Sequence, residues 1–280
     1  MSDSRTGADS RMSTTIDVTV PHPARVYDYL LGGRDHYPPD RTLGAAIIAD
    51  VPDVQVAARA NRAFLGRAVR CLVSEWGITQ FLDIGTGIPT AGNTHEVAQA
   101  LDPAARVVYV DHDPIVMVHA RALLKGTPQG RTAFIHADLR DPESILTDPA
   151  FTANLDPARP VAIMLVAIMM YILDTDGPQA IVARLLDAVP AGSCVVITHL
   201  TGDANLRGVL RIVELGRRSG LEQCARNRAE FESLFAGTEL VAPGIAPVSA
   251  WRSDLAGTTE VDRAGAADSA LLWAGVGRKC

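Results

Sequence analysis

The chain has 280 residues, enough for one large domain with an appendage, and its 48% hydrophobic but 5% aromatic content describes a core of Ala, Val, Leu and Ile, as in helices packed on a parallel sheet. A net charge of −6 with no long basic run argues against nucleic acid as a partner, and no apolar run is long enough to span a bilayer. The four cysteines, Cys71, Cys194, Cys224 and Cys280, lack metal-type spacing and read as reduced thiols of a cytoplasmic protein, and nothing specifies an oligomeric state.

Residues 1–20 form a polar, Ser-rich tail without an apolar signal core, expected to be disordered. Residues 24–31 read as a short helix stopped by Gly32 and Gly33. Arg34, Asp35, His36 and Tyr37 follow on a loop stiffened by Pro38 and Pro39. The loop is either an ordinary helix end or a flap over a ligand, and its density of special side chains favours the flap. Tyr29 and Gly33 would then face a cofactor, with His36 and Asp35 as candidate bases. A helix over 42–48 leads to a longer one over 54–76, with Ala60, Phe64, Ala68, Cys71 and Leu72 on one face. Its arginines read as a solvated surface, except that Arg59 or Arg62 could reach a carboxylate. Residues 21–78 are therefore expected as a helical cap on a ligand-binding α/β domain over 79–280.

That domain opens with QFLDIGTGIPT, residues 80–90: a short apolar strand that runs into Gly85, Thr86 and Gly87. Glycines let backbone approach a ligand, and the following helix would offer free N–H groups. Thr90 stands where a dinucleotide fingerprint needs a third small residue. Asp83, two residues before the first glycine, would repel a pyrophosphate but suits an α-ammonium such as that of S-adenosylmethionine (SAM).

Residues 90–101 read as the next helix, with Asn93 and His95 in its first turns. The strand RVVYVD ends at Asp111, placed to bind ribose hydroxyls, with His112 beside it. After a helix over 114–124 comes a third strand, over 132–136. Asp138 just beyond it would either take an adenine amine, next to Leu139, or cap a helix near Pro142. The fourth strand, 161–166, ends in Ala167, Ile168, Met169 and Met170, an apolar tip without the polar tetrapeptide that methylation of base amines uses. A helix over 178–189 and a strand over 193–198 lead to His199, a candidate base at a strand tip. An Arg-rich helix over 205–219 is a candidate lid, and a last helix and two strands, at 239–248 and 270–276, flank a polar loop read as a hairpin. The expected architecture is a Rossmann-like, seven-stranded, mostly parallel sheet with an antiparallel last strand, its ligand outside the carboxyl ends of the strands.

This layout resembles class I SAM-dependent methyltransferases. HPARVYDYLLGGRDHY, ARANRAFLGRAVR, FLDIGTGIPTAGNTHEVAQ, VVYVDHDPIVMVHARALL, ADLRDPESIL, RPVAIMLVAIM and WAGVGRK are similar to one family of S-adenosyl methyltransferases of unassigned substrate, formerly a domain of unknown function. The resemblance implies SAM as cofactor and S-adenosylhomocysteine (SAH) as product. It implies Gly85, Thr86 and Gly87 near the methionine part, Asp111 on the ribose, and Asp138 and Leu139 around adenine, with Ala167 at the fourth tip. Relatives carry a histidine shortly after the fourth strand, where this chain has Met170. The expected reaction is methyl transfer to O or N of a small, partly apolar molecule; a SAM-binding protein without catalysis and an NAD(P)-dependent oxidoreductase are the alternatives.

Overall fold

The structure, a computed structural model, describes residues 17–123 and 126–280; most of the expected tail lies outside the described residues. Three helices come first: α1 (Pro23–Leu31), α2 (Pro38–Asp50) and α3 (Val54–Ser74). Pro38 and Pro39, read above as loop stiffeners, are the first turn of α2, where proline's fixed φ favours a helix start. The buried Asp40 carboxylate accepts from the backbone N–H groups of His22 (2.8 Å) and Tyr37 (2.7 Å) and from Arg25 Nε (2.9 Å). With both carboxylate oxygens engaged, this ion pair locks the start of α1 onto α2.

The sheet follows, as β1 (Gln80–Ile84), α4 (Thr94–Leu101), β2 (Arg106–Asp111), α5 (Pro114–Leu123) and β3 (Arg131–His136). The short α6 (Pro142–Leu146) and α7 (Pro149–Asn154) precede β4 (Ala162–Leu165), α8 (Pro178–Asp187) and β5 (Cys194–Leu200). The chain closes with α9 (Leu206–Arg218), α10 (Arg228–Glu232), β6 (Thr238–Leu240), β7 (Ala246–Pro247), α11 (Glu260–Ala264) and β8 (Leu272–Lys279). Strand order is β3-β2-β1-β4-β5-β8-β6, parallel through β5, with β8 antiparallel to both of its neighbours. The two-residue β7 pairs with β8 as an eighth strand, one more than expected. This is the Rossmann-like class I arrangement, a mostly parallel sheet that ends in an antiparallel strand.

The central strands are buried on both faces, so alternate side chains feed two cores. Phe81, Val107 and Met164 point to the face that α3 covers; Leu82, Val108 and Ile163 point to the face that α8 covers. On the α3 side one expectation is refined and one corrected. The hairpin pairing holds, since β6 and β7 both run antiparallel to β8, but the loop that joins them to β8 contains α11 and folds back over α3. Arg67 and Arg70, read as solvated, hold that return: Arg67 donates to the carbonyls of Trp251 (2.8 Å) and Val248, and Arg70 donates to that of Leu255 (2.8 Å) and pairs with Asp262. Burial pulls the Arg67 guanidinium down to about 10, with Arg70 adding to the effect. Phe64 meets the buried Trp251 edge-on at 5.3 Å beside these contacts.

Candidate active site

The chain leaves β1 for β2 and β3 on one side and returns to β4 on the other, which opens a crevice at the β1/β4 switch point. Gly85 (φ 73°) and Gly87 (φ 65°) turn in the left-handed region there. A Cβ on Gly85 would sit 2.7 Å from Cγ1 of Ile168, so no other residue fits between the β1 turn and the β4 tip. A Cβ on Gly87 would meet nothing nearer than Ala24 at 3.9 Å and would occupy the cleft instead. Gly87 N–H donates to Asp111 Oδ2 (2.9 Å), while the Thr86 hydroxyl is spent on the Asp83 carbonyl (3.1 Å).

The expected helix over 90–101 begins four residues late, at Thr94, because its N-terminal donors are used internally. Glu96 accepts from Gly92 and Asn93 N–H groups (2.7 and 3.1 Å), and His95 N–H donates to Tyr109 Oη (2.9 Å). Anion binding at that helix end is therefore not what the turn provides. Its main polar offer is the carboxylate of Asp83, which accepts from Thr94 Oγ1 (2.6 Å). Burial pushes the Asp83 carboxyl up to about 6, against the Thr94 hydrogen bond and the nearby Arg62 charge that lower it.

At the β2 end, Asp111 accepts from the Gly87 and Asp113 N–H groups, and burial raises its pKa despite both bonds. The ring of His22, from the segment before α1, lies tilted (42°) against that of His112 with centroids 5.6 Å apart, and its Nδ1 lies 3.1 Å from Asp113 Oδ2, outside hydrogen-bonding geometry. At the β3 end, Asp138 lines the cleft but also takes Arg140 (2.8 Å); Asp141 and not Asp138 caps α6. At the β4 end, Ala167 holds a left-handed conformation (φ 59°) that only glycine adopts freely, pinned by its N–H to Thr198 Oγ1 (2.8 Å).

Asp83, Gly85, Thr86, Gly87, Asp111, His112, Asp138, Leu139, Ala167 and Arg62 all line this single cleft. Tyr29, Gly33, Asp35, His36 and His199 do not. Asp28 explains three of the five. Its carboxylate accepts from Asp35 N–H (2.9 Å) and engages His36 Nδ1 (3.0 Å), and a Cβ on Gly33 would lie 2.0 Å from its Oδ1. Tyr29 packs over Gly44, where a Cβ would meet its ring at 2.3 Å. The double glycine thus folds the loop onto Asp28; α1 itself, not residues 32–37, walls the cleft. His199 is fully buried. Its Nδ1 can only donate to the Leu200 carbonyl (2.8 Å), and its Nε2 accepts from Arg226 Nη1 (2.7 Å), so no lone pair remains for a substrate proton. Burial holds that ring neutral, its pKa down to about 4. Arg226 also ties the Met169 and Ile172 carbonyls to the sheet (3.2 and 3.0 Å), a role without a sequence signal.

Beyond these polar ends, the same cleft continues between the cap and the sheet as an apolar chamber, walled by Leu30, Ile47, Leu200, Ile212, Leu221 and Leu272. Acids at successive strand ends, a close-approach glycine turn and an adjoining chamber are the features of a class I SAM-dependent methyltransferase. The S-adenosyl methyltransferase family profile matches residues 9–280, and the chain belongs to that family. SAM is its methyl donor, which decides against the dinucleotide alternative. A DUF574 family protein from Streptomyces avermitilis is 42% identical, with a TM-score of 0.88 over 95% of this chain and 100% of that one. A candidate methyltransferase from Thermobifida fusca is 41% identical, with a TM-score of 0.82 over 94% and 96%. The plantazolicin methyltransferase BpumL, solved with SAH, shares the fold at 16% identity, with a TM-score of 0.54 over 92% and 95%. No curated protein sequence matches significantly. Among the described residues no helix is long and apolar enough to cross a membrane.

Proposed function

We propose that the protein methylates an O or N atom of a small, partly apolar molecule held in the chamber beside the SAM cleft. The observation that carries this reading is the continuity of the cleft, from buried carboxylates at the β1 and β2 ends into an apolar space walled by α1, α2 and α9. SAM supplies an electrophilic methyl on a sulfonium, and SAH leaves when the methyl–sulfur bond breaks. The residues fit that donor: Asp83 suits the ammonium, and Arg62, whose buried Nε has no partner, suits the carboxylate. Gly87 leaves the room a side chain would fill, and Asp111 keeps acceptor capacity for hydroxyls.

The protein's task is then to align the acceptor and exclude water. His36 and His199 are both engaged away from the cleft, so neither is placed to take a proton. This favours a neutral nitrogen, which loses its proton to solvent after transfer, over a hydroxyl that must be deprotonated first. The four cysteines are unpaired, in keeping with the cytoplasm. The test is calorimetry with SAM, SAH and NAD in parallel, followed by SAH release over a panel of apolar amines and phenols. SAH release with none of them, despite SAM binding, would leave the non-catalytic reading in its place.

A further inference from the structure

The face of α3 toward the cleft is a stripe at helical spacing: Val54, Ala57, Ala58, Asn61, Arg62 and Leu65. One turn of it is polar. Arg62 donates to the Ala91 and Gly92 carbonyls beside the glycine turn, which puts it at the donor end. Asn61 stands between that end and the apolar chamber, and it is 1% exposed.

The orientation of its amide follows from its neighbours. The Ala58 carbonyl can only accept, so the Tyr27 hydroxyl, 3.1 Å away, donates to it. Tyr27 Oη must then accept from Asn61, which turns Nδ2 toward it at 2.9 Å. Oδ1 is left as the free end, a buried acceptor without a hydrogen-bond partner. A polar atom so placed is unfavourable until a ligand donor meets it. Across the cleft lies the β4 tip, whose Met170 and Tyr171 also line the space.

We infer that Asn61 Oδ1 is the specificity-determining contact for the methyl acceptor: it takes a hydrogen bond from the N–H or O–H of a neutral, apolar molecule in the chamber. The inference rests on the SAM-donor reading above and adds the acceptor's class. Tyr27 is its positioning residue, because it fixes which end of the amide faces the ligand. A molecule of the same shape without a donor leaves Oδ1 unpaired and is rejected. A carboxylate offers only acceptors and is rejected as well.

The experiment uses the full-length protein loaded with SAH and three probes of one shape, para-propylaniline, para-propylphenol and 1-fluoro-4-propylbenzene, at neutral pH. Calorimetry or saturation-transfer NMR measures each affinity. The aniline and phenol are expected to bind at least about tenfold tighter than the fluoro compound. Asn61→Leu should abolish that preference while SAH affinity stays within about threefold. Tyr27→Phe, which frees the amide to turn over, should weaken the preference while the chamber still takes all three. A preference that survives in Asn61→Leu, or no probe binding at all, overturns the inference. So does a tenfold loss of SAH affinity in Asn61→Leu with probe preference intact, which would assign Asn61 to the donor. Failure of SAH to bind the wild-type protein would sink the donor assignment separately; the preference, measured without SAH, still decides the role of Asn61.

Discussion

Over β1, β2 and β3 the cleft is walled by the left-handed glycine turn after β1 and by an acid at or near each strand end; over β4, β5 and β8, apart from the left-handed Ala167, it is walled by side chains from several separate elements. The first half is local. Asp83, Gly85, Gly87 and Asp111 each sit within a few residues of a strand terminus, and their positions follow from where the strands stop. The second half is assembled at a distance: Leu30, Ile47, Ile212 and Leu272 meet only because α1, α2, α9 and β8 pack together. Substitutions in the first half should therefore act on donor binding and leave the fold; those in the second should act on acceptor choice or on stability.

The largest expected effect is that of Gly85→Val. Its side chain would collide with Ile168 in a backbone region that β-branched residues avoid, so SAH affinity should fall by about a hundredfold or more, measured by calorimetry on protein with a native far-UV spectrum. Wild-type affinity in that titration would move the ligand away from the β1 turn.

Asp83→Asn separates binding from stability. The folded-state pKa of Asp83 is raised to about 6, so the stability it contributes by holding its proton is complete below about pH 4 and lost as pH rises through about 6. At neutral pH the ionised, buried carboxylate disfavours the fold by on the order of 3 kcal/mol. The Asn variant should melt at a higher temperature than wild type at neutral pH, yet bind SAH about ten- to a hundredfold more weakly. Equal melting temperatures would show that Asp83 is better solvated than its 6% exposure indicates.

Asp111→Ala should weaken SAH by about 1–3 kcal/mol, through lost hydrogen bonds to the ligand and the released N–H of Gly87. His199→Ala tests the other half: it should cost about 2–4 kcal/mol of stability in denaturant melts by leaving Arg226 short of a partner, with SAH affinity within about threefold. The smallest effect belongs to His36→Ala, about 0.5–1.5 kcal/mol of stability and no change in SAH affinity, since the ring serves Asp28 and not the cleft.

The same contrast decides what could be read from the sequence. That the β1 turn, the β2 acid and Asp138 line one cleft is legible because strand ends leave a local pattern and an open sheet has its crevice at those ends. The GGRDHY loop misled because glycines and polar side chains look alike whether they meet a ligand or, as here, the carboxylate of Asp28 one turn back. His199 misled for a related reason: a strand tip in sequence says nothing of Arg226, which arrives 27 residues later to take its lone pair. Arg67 and Arg70 were misread because their acceptors lie in residues 248–262, on a return that no local pattern announces. Asn61 did leave a trace, as the one uncharged polar side chain in the 54, 57, 58, 61, 62, 65 spacing, but its free oxygen depends on Tyr27 and could not be read from spacing.

The buried Asp83 carboxylate and the glycine turn are proposed to form the SAM site together. The measurement that tests it most directly is SAH calorimetry on wild type and Asp83→Asn in parallel, above and below the Asp83 pKa of about 6. The expected result is tight binding by wild type above that pH, weakening about tenfold per pH unit below it, with the variant weak at every pH and less pH-dependent than wild type. Some pH dependence stays in the variant because Asp111, whose pKa burial also raises, still titrates in the same cleft. A variant that binds as wild type does at both pH values, or a wild-type protein that does not bind SAH, would contradict it.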